Sequence, residues 1–456
     1  MCGGEVKPAG RSTKGWAQRQ LNVGFVGGVL LVLLTYLVVS QRVAINAPYV
    51  VITEARRITD KQVIKAPAET TEKVGKVVCR EDGRSETCEV DGDVRINGTA
   101  RSVVLVPASS SERREWRIRP YSRKELDGIN KVTVTQLPDR AAAPPCTVTY
   151  TMPAVLFAIG GHTGNYWHDY ADALIPLFVA SRRYDGEVQF LVGNLEERPK
   201  WLRKYKALLR RLSKYDAVDL DGDEHVRCFP HVTVGIRMDK EFSIVPELAP
   251  GGRRLSMADF TRFLREAYAL PRHAAVSPAR EPGKKPRLLL IHRGHNRRLL
   301  NEEEVARAAE AAGFEAVVAE LRGDTPEREQ ARLVNSFDVL VGVHGAGMTN
   351  TLFLPPGAVV IQVVPYGKID FIARAEFMEP VADMGLKYLD YCVAAEESTL
   401  MEKLGPDHPA IRDPDSVHRE GWLQVFDIYL NKQDVRINVT RFAPLLAQAF
   451  DHLRQQ

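Results

Sequence analysis

The sequence predicts an α/β protein made of two Rossmann-like domains facing a cleft. Three observations carry this: apolar runs rich in Val and Ile without polar alternation, glycine turns where those runs end, and a break rich in Pro, Gly and charge, SPAREPGKK at 277–285, between two series of them. Uniformly apolar strands belong to parallel sheets covered on both faces. At 456 residues the chain exceeds one ordinary core, so two domains plus accessory segments are expected. The formal charge of +4 is small, and no long basic block is interleaved with aromatics. That argues against nucleic acid as a partner.

Residues 1–20 read as a cytoplasmic tail, with Lys7, Arg11, Lys14 and Arg19 against Glu5. Residues 21–39 carry no charge, and at ~1.5 Å per residue they span ~30 Å of hydrocarbon as a transmembrane signal anchor. Basic residues ahead of the span predict a lumenal remainder, where disulfides persist. Cys79 and Cys88 flank the turn-forming octet REDGRSET, a candidate hairpin disulfide. Counting Cys146, Cys228 and Cys392, the lumenal thiols are odd in number, so one stays free or pairs between chains. Asn97 and Asn438 head Asn-x-Thr sequons, glycosylation acceptors in that compartment. Residues 40–145 are polar with short β-like pieces and read as a stem and small lumenal subdomain.

The first α/β domain is expected over 146–276. An apolar strand at 154–159 runs into glycines at 160, 161 and 164 and then a helix with His168 and Asp172 one turn apart, hence on one face. Strands at 187–192, 217–220 and 231–236, a helix at 201–212 and a helix at 257–270 capped by Ser256 continue the pattern. Asp221-Gly222-Asp223 follows a short strand and reads as a turn rather than a metal pair.

The second domain is expected over 283–456. It opens with a strand at 287–291 ending in HRGHNRR, then a helix capped by Asn301, a strand at 315–318 and a helix starting at Thr325-Pro326. The strand at 339–343 ends in His344-Gly345-Ala346-Gly347 and a short helix with Thr349 and Asn350, before the strand at 358–364 that holds Gln362. A glycine turn between strand and helix lets backbone N–H groups approach an anion. Arg293, Arg297 and Arg298 follow a neighbouring strand end, and guanidiniums clasp diphosphates bidentately. Ligands of doubly wound sheets sit beyond the carboxyl ends of the strands. Beyond a polar insert at 396–420, a strand-like piece at 434–439 and a helix at 444–453 close the chain. A dinucleotide fingerprint and a Walker sequence are both missing, which argues against an oxidoreductase or ATPase.

Four stretches, GNYWHDYADALIPLF, HRGHNRRLLNEEEV, FDVLVGVHGAGMTN and GAVVIQVVP, together resemble plant members of glycosyltransferase family 61, and CREDGRSETCEVDGDVR near the stem resembles its grass clade. That clade decorates xylan with arabinofuranosyl or xylosyl side chains, as Golgi type II membrane enzymes. The resemblance implies a GT-B fold, a UDP-sugar donor (UDP-arabinofuranose or UDP-xylose) held mainly by the C-terminal domain, and inversion without an obligatory metal or other cofactor. Its Asn-x-x-His-x-x-x-Asp pattern falls on Asn165, His168 and Asp172, with Asp169 between the last two. Its His-Arg element falls on His292 and Arg293 with Asn296 and Arg297 after it. The His-Gly-Ala-Gly element is His344, Gly345, Ala346 and Gly347, followed by Thr349, Asn350 and Gln362.

Glycosyl inversion needs a base for the acceptor hydroxyl and positive charge for the departing diphosphate. Arg293, Arg297 and the turn at 345–347 meet the second need. His168, Asp169 or Asp172 meets the first, with His168 and Asp172 able to act as a pair. Two other readings stand beside pentosyl transfer to xylan: the same family acting on N-glycans or protein hydroxyls, and a non-catalytic scaffold that binds polysaccharide.

Overall fold

The computed structural model describes residues 75–456; the expected tail, anchor at 21–39 and stem up to residue 74 lie outside the described residues. Among the described residues, no helix is long and apolar enough to cross a membrane. The architecture is mixed α/β with two sheets.

The hairpin β1 (Lys76–Asp82) and β2 (Ser85–Asn97) begins the first sheet, and β3 (Ser102–Val106), β4 (Arg114–Ile118) and β5 (Val132–Gln136) widen it. It is completed by β6 (Val148–Thr149), β7 (Ala154–Ala158), β8 (Gln189–Gly193), β9 (Val218–Asp219) and β10 (Val226–Val234). The path is β4-β5-β3-β2-β10-β7-β8-β9, with β1 on β2 and β6 on β10. β10 is parallel to β7 and antiparallel to β2. It therefore joins a parallel core, ordered third, second, first, fourth from β9 to β10, to an antiparallel wing.

This corrects two expectations. The segment before residue 146 is not a separate subdomain: Val90, Val94 and Ile96 of β2 pack in one cluster with Ala154, Leu156, Val232 and Val234. The alternating burial along β2 hid that affinity, because only one of its faces is apolar. The last strand also starts earlier than 231, with an irregularity between Phe229 and His231 where Pro230 has no N–H for the ladder. Cys79 and Cys88 sit in register across β1 and β2 and are joined by a disulfide, and a second links Cys146 to Cys228. No described cysteine is free, so the free-thiol alternative expected from the count is not seen among the described residues.

The second sheet is wholly parallel: β11 (Arg287–His292), β12 (Glu315–Glu320), β13 (Val339–Val343), β14 (Val359–Val364) and β15 (Lys387–Cys392), in the order β12-β11-β13-β14-β15. β13 and β14 are buried throughout. The strand order reverses between β11 and β13, and a crevice opens at such a point beyond the carboxyl ends. The piece at 434–439 makes only isolated bridges from Val435, because the closing helix begins at Val439, capped by Asn438, and runs to Arg454.

One apolar cluster runs from Val155 to Leu453 through both halves. Tyr170 and Tyr268 meet Phe353 edge to face, as Phe242 does Phe377, with ring centroids 5.9–6.2 Å apart. Asp338 accepts hydrogen bonds from the N–H groups of Val276 and Arg287 at 2.8 Å each. The charged break at 277–285 is thus pinned at both ends.

Candidate active site

The chain leaves β7 through glycines and enters a helix at Asn165, whose side chain accepts from the N–H of Trp167 at 3.0 Å as its cap. Tyr166–His168, a π-helical turn Asp169–Leu174 and Ile175–Ser181 follow without a break. π-turns recur at functional sites. Here one holds Asp172, whose Oδ2 meets His168 Nδ1 (2.9 Å), Tyr121 OH (2.8 Å) and Arg123 Nε (2.9 Å), while Oδ1 accepts from Arg123 Nη2 (2.9 Å). Burial alone would raise this carboxyl, but hydrogen bonds from His168 and Arg123 outweigh it and hold Asp172 at about 2. Arg123 also clasps Glu241 at 2.8 Å. With Nδ1 engaged, His168 keeps Nε2 available; its side chain is 24% exposed and its ring lies 4.6 Å from that of His162.

Asp169 does something else. Its oxygens accept from Gly164 N–H (2.8 Å), Trp201 Nε1 (3.1 Å), Tyr205 OH (2.6 Å) and Lys204 Nζ (3.3 Å). Both are taken up in tying the glycine turn to the helix beneath it. The structure therefore separates Asp169 from the His168–Asp172 pair.

Across the junction, the crevice between β11 and β13 is lined as follows. Gly345 has φ of 137°, and a Cβ there would lie 3.0 Å from Arg297 Nη1 and 3.1 Å from Arg293 Nη1. Two guanidiniums thus converge on one bare backbone position. Arg297 donates to the His344 carbonyl at 3.0 Å, and its buried Nε has no partner. Burial and the Arg293 charge push Arg297 down to about 10. Two like charges held together beside an unpartnered donor offer an anion complementary charge and hydrogen bonds. Ala346–Phe353 is a 3₁₀ run whose first N–H groups lack an intrahelical acceptor.

His344 is buried, and its Nδ1 accepts from Gln362 Nε2 at 2.8 Å; Gln362 in turn accepts from Tyr388 OH at 2.6 Å. That chain fixes the ring with its proton on Nε2. Burial and then the charges of Arg297 and Arg293 hold its pKa down to about 3, so the ring is neutral. Nε2 points to Glu376, 3.7 Å away, on a π-helical turn Arg374–Met378. Burial raises Glu376 to about 7, against the pull of Arg297 and Arg123, and the Asp172 charge adds to the rise. Glu376 therefore feels both sides of the site at once.

The remaining expected residues brace rather than line the crevice. Asn350 donates to the Gly347 carbonyl (2.9 Å) and accepts from Gln330 (3.0 Å), and the Thr349 hydroxyl is buried without a partner. His292 is exposed and turns its Nδ1 to Glu302 at 2.9 Å. The Asn296 carbonyl holds Arg293 Nε at 3.0 Å. Arg298 is directed away, to Asp434 at 2.7 Å. The Asp221 carboxylate accepts from the N–H groups of Asn194 and Glu196, and Asp223 pairs with Arg227 at 2.7 Å. Asn97 accepts from Ala100 N–H at 2.7 Å, and Asn438, exposed, caps the last helix.

Sequence reasoning missed Tyr121, Arg123, Glu241 and Glu376. The first two lie in the polar segment read as a subdomain; Glu376 sits in a charged helical stretch with no motif to mark it.

The glycosyltransferase 61 family model matches residues 166–361. The chain is 43% identical over 395 residues to the beta-1,2-xylosyltransferase XAX1 of Oryza sativa subsp. japonica, covering 83% of this chain and 69% of that protein. Against the beta-1,2-xylosyltransferase XYXT1 of the same organism it is 43% identical over 394 residues, 82% of this chain and 83% of the other. Against its alpha-1,3-arabinosyltransferase XAT3 the identity is 42% over 375 residues, 81% and 64% of the two chains. The matched stretch runs from the helix of His168 and Asp172, through the crevice of Arg293 and Gly345, to β14, and by these likenesses the chain belongs to glycosyltransferase family 61.

Proposed function

We propose that this transferase moves a pentose, arabinofuranose or xylose, from a UDP-sugar onto side-chain positions of xylan, with inversion at the anomeric carbon. The observation that carries it is the convergence of Arg293 and Arg297 on Gly345 while a His168–Asp172 pair stands ready on the other half. The sugar class follows the xylosyl- and arabinosyltransferases to which the chain is similar.

In this reading the diphosphate of the donor lies on the Gly345–Gly347 turn between the two guanidiniums. These supply the charge that stabilises the leaving group, with no obligatory metal. The acceptor hydroxyl attacks the anomeric carbon from the opposite face, and His168 Nε2 takes its proton as the bond to UDP breaks. Asp172, anionic and immobile, keeps Nδ1 protonated and the ring aimed. The pairing of two Rossmann-like halves is that of a GT-B enzyme. In this reading the uncharged stretch 21–39 anchors a single-pass type II protein with its catalytic part in the lumen, and the Golgi membrane is the one implied by the family resemblance.

The test is the full-length chain in detergent, given xylooligosaccharides and UDP-arabinofuranose, UDP-xylose or UDP-N-acetylglucosamine in turn, with products read by mass. One pentose added from one donor is expected. Absence of transfer from every donor, with no thermal stabilisation by UDP, overturns the enzyme reading.

A further inference from the structure

A second concave site lies where the helices of the first half meet the loop before the helix Glu327–Asn335 of the second. It is a groove of about 800 Å3, walled on one side by Lys200, Arg203, Lys204, Lys206 and Arg210 and on the other by 323–328, including Arg328. Its charges do not cancel. Asp324 is engaged by Arg322 at 3.1 Å, and Glu327 is buried under the hydroxyls of Tyr166 and Tyr170, 2.7 Å each. Of the cations, Lys204 reaches Asp169 (3.3 Å) and Arg210 reaches Asp216 (3.1 Å). Lys200, Arg203, Lys206 and Arg328 are exposed and pair with no described residue.

The ordinary account of surface cations is solvation, but this chain has 58 acidic residues for 62 basic ones. Four unpaired cations gathered in one concavity repel each other without compensation, and a groove lined by one sign focuses its potential on a counter-ion. The basic wall is also long. Arg203, Lys206 and Arg210 line a neighbouring hollow of about 230 Å3 as well, so the charge forms a track rather than a point. The groove abuts the helix that carries His168 on the face of Tyr166 and Tyr170, where Lys204 lies 4.8 Å over the ring of Tyr166, while His168 and Asp172 share the opposite face.

We propose that this groove is a binding site for carboxylate groups borne on the acceptor polysaccharide: it holds the uronate side groups of a substituted xylan chain and so keeps the extended acceptor on the protein. The inference rests on the acceptor reading given above, but the groove is separate from the reacting atoms. Its ligand is a polyanion of spaced carboxylates, which suits an extended basic track better than a single anion does.

The test measures binding without donor, so it is independent of turnover. Full-length protein in detergent is titrated with uronate-substituted and with neutral xylooligosaccharides of equal length, for the native chain, the double variant Arg203→Glu/Lys206→Glu and the milder Arg203→Gln/Lys206→Gln, each checked for an unchanged melting temperature. The native chain should prefer the acidic oligosaccharide roughly tenfold at low salt, and the preference should fade at high salt. Both variants should lose it while keeping transfer to the neutral acceptor. An equal affinity of the native chain for both ligands, or a preference that survives the substitutions, overturns the proposal. So does loss, in the variants, of binding to phosphatidylserine vesicles alone, which would make the groove a membrane contact. Absence of transfer with the acidic preference intact would sink the transferase reading and leave the groove standing.

Discussion

Asp172 gives one carboxylate oxygen to His168 Nδ1, 2.9 Å away, so the imidazole has a single nitrogen left for chemistry. The same carboxylate is the counter-ion of Arg123, whose side chain is only 11% exposed. The two partners should therefore fail differently. His168→Ala is expected to cut kcat roughly 10²- to 10⁴-fold with little change in melting temperature. Asp172→Asn should lower kcat too and cost about 3 kcal/mol of stability, because Arg123 is left buried with Glu241 alone. Rate assays paired with urea unfolding check both.

Gly345→Ala tests the donor side. The added methyl meets two guanidinium nitrogens at about 3 Å and a φ that L-residues avoid. One arginine has to move. UDP should bind roughly tenfold more weakly while the His168–Asp172 pair stays intact, and a UDP titration followed by fluorescence or calorimetry reads the change.

Glu376 sets a pH dependence. Its carboxyl is raised from 4.5 in the unfolded chain to about 7 in the folded one, so the native state binds its proton more tightly. Its contribution to stability is full below about 4.5 and is lost as the pH rises through about 7. Glu376→Gln should flatten the stability curve over that window, by roughly 3 kcal/mol at most. It should also remove a limb near neutrality from the pH profile of kcat. Urea midpoints and initial rates at half-unit steps of pH decide the matter.

The disulfides Cys79–Cys88 and Cys146–Cys228 close loops of very different length, with sequence separations of 9 and 82. Loop entropy then gives ~2.5 kcal/mol for the first and ~4.5 kcal/mol for the second. Cys146→Ser/Cys228→Ser should be the more destabilised in non-reducing urea titrations.

Most of the second sheet was legible because β13 and β14 are buried on both faces and therefore rich in Val and Ile, with a glycine turn or a proline soon after each. The wing β1–β5 was not, since a strand with one wet face reads like a polar stem until its partner is known. Motif spacing pointed to His168, Arg293 and Gly345, whose roles depend on local turns. Arg123 and Glu376 reach the same region from positions about 49 residues before Asp172 and about 32 after His344. No local pattern marks a residue whose part in the site is made by folding alone. The cap expected of Asn301 shows the same limit: its amide binds both backbone groups of Ile437 instead, at 2.9 and 3.1 Å.

The largest apolar cluster runs through both halves, and this bears on how the molecule comes apart. A chain whose halves had separate interiors would lose one and keep the other, giving proteases a durable nicked intermediate. Here the removal of either half strips cover from the other. Digestion should pass from intact chain to small peptides without a stable fragment of half size, and a sugar nucleotide seated at Gly345 should slow cleavage as far away as the β1–β2 hairpin.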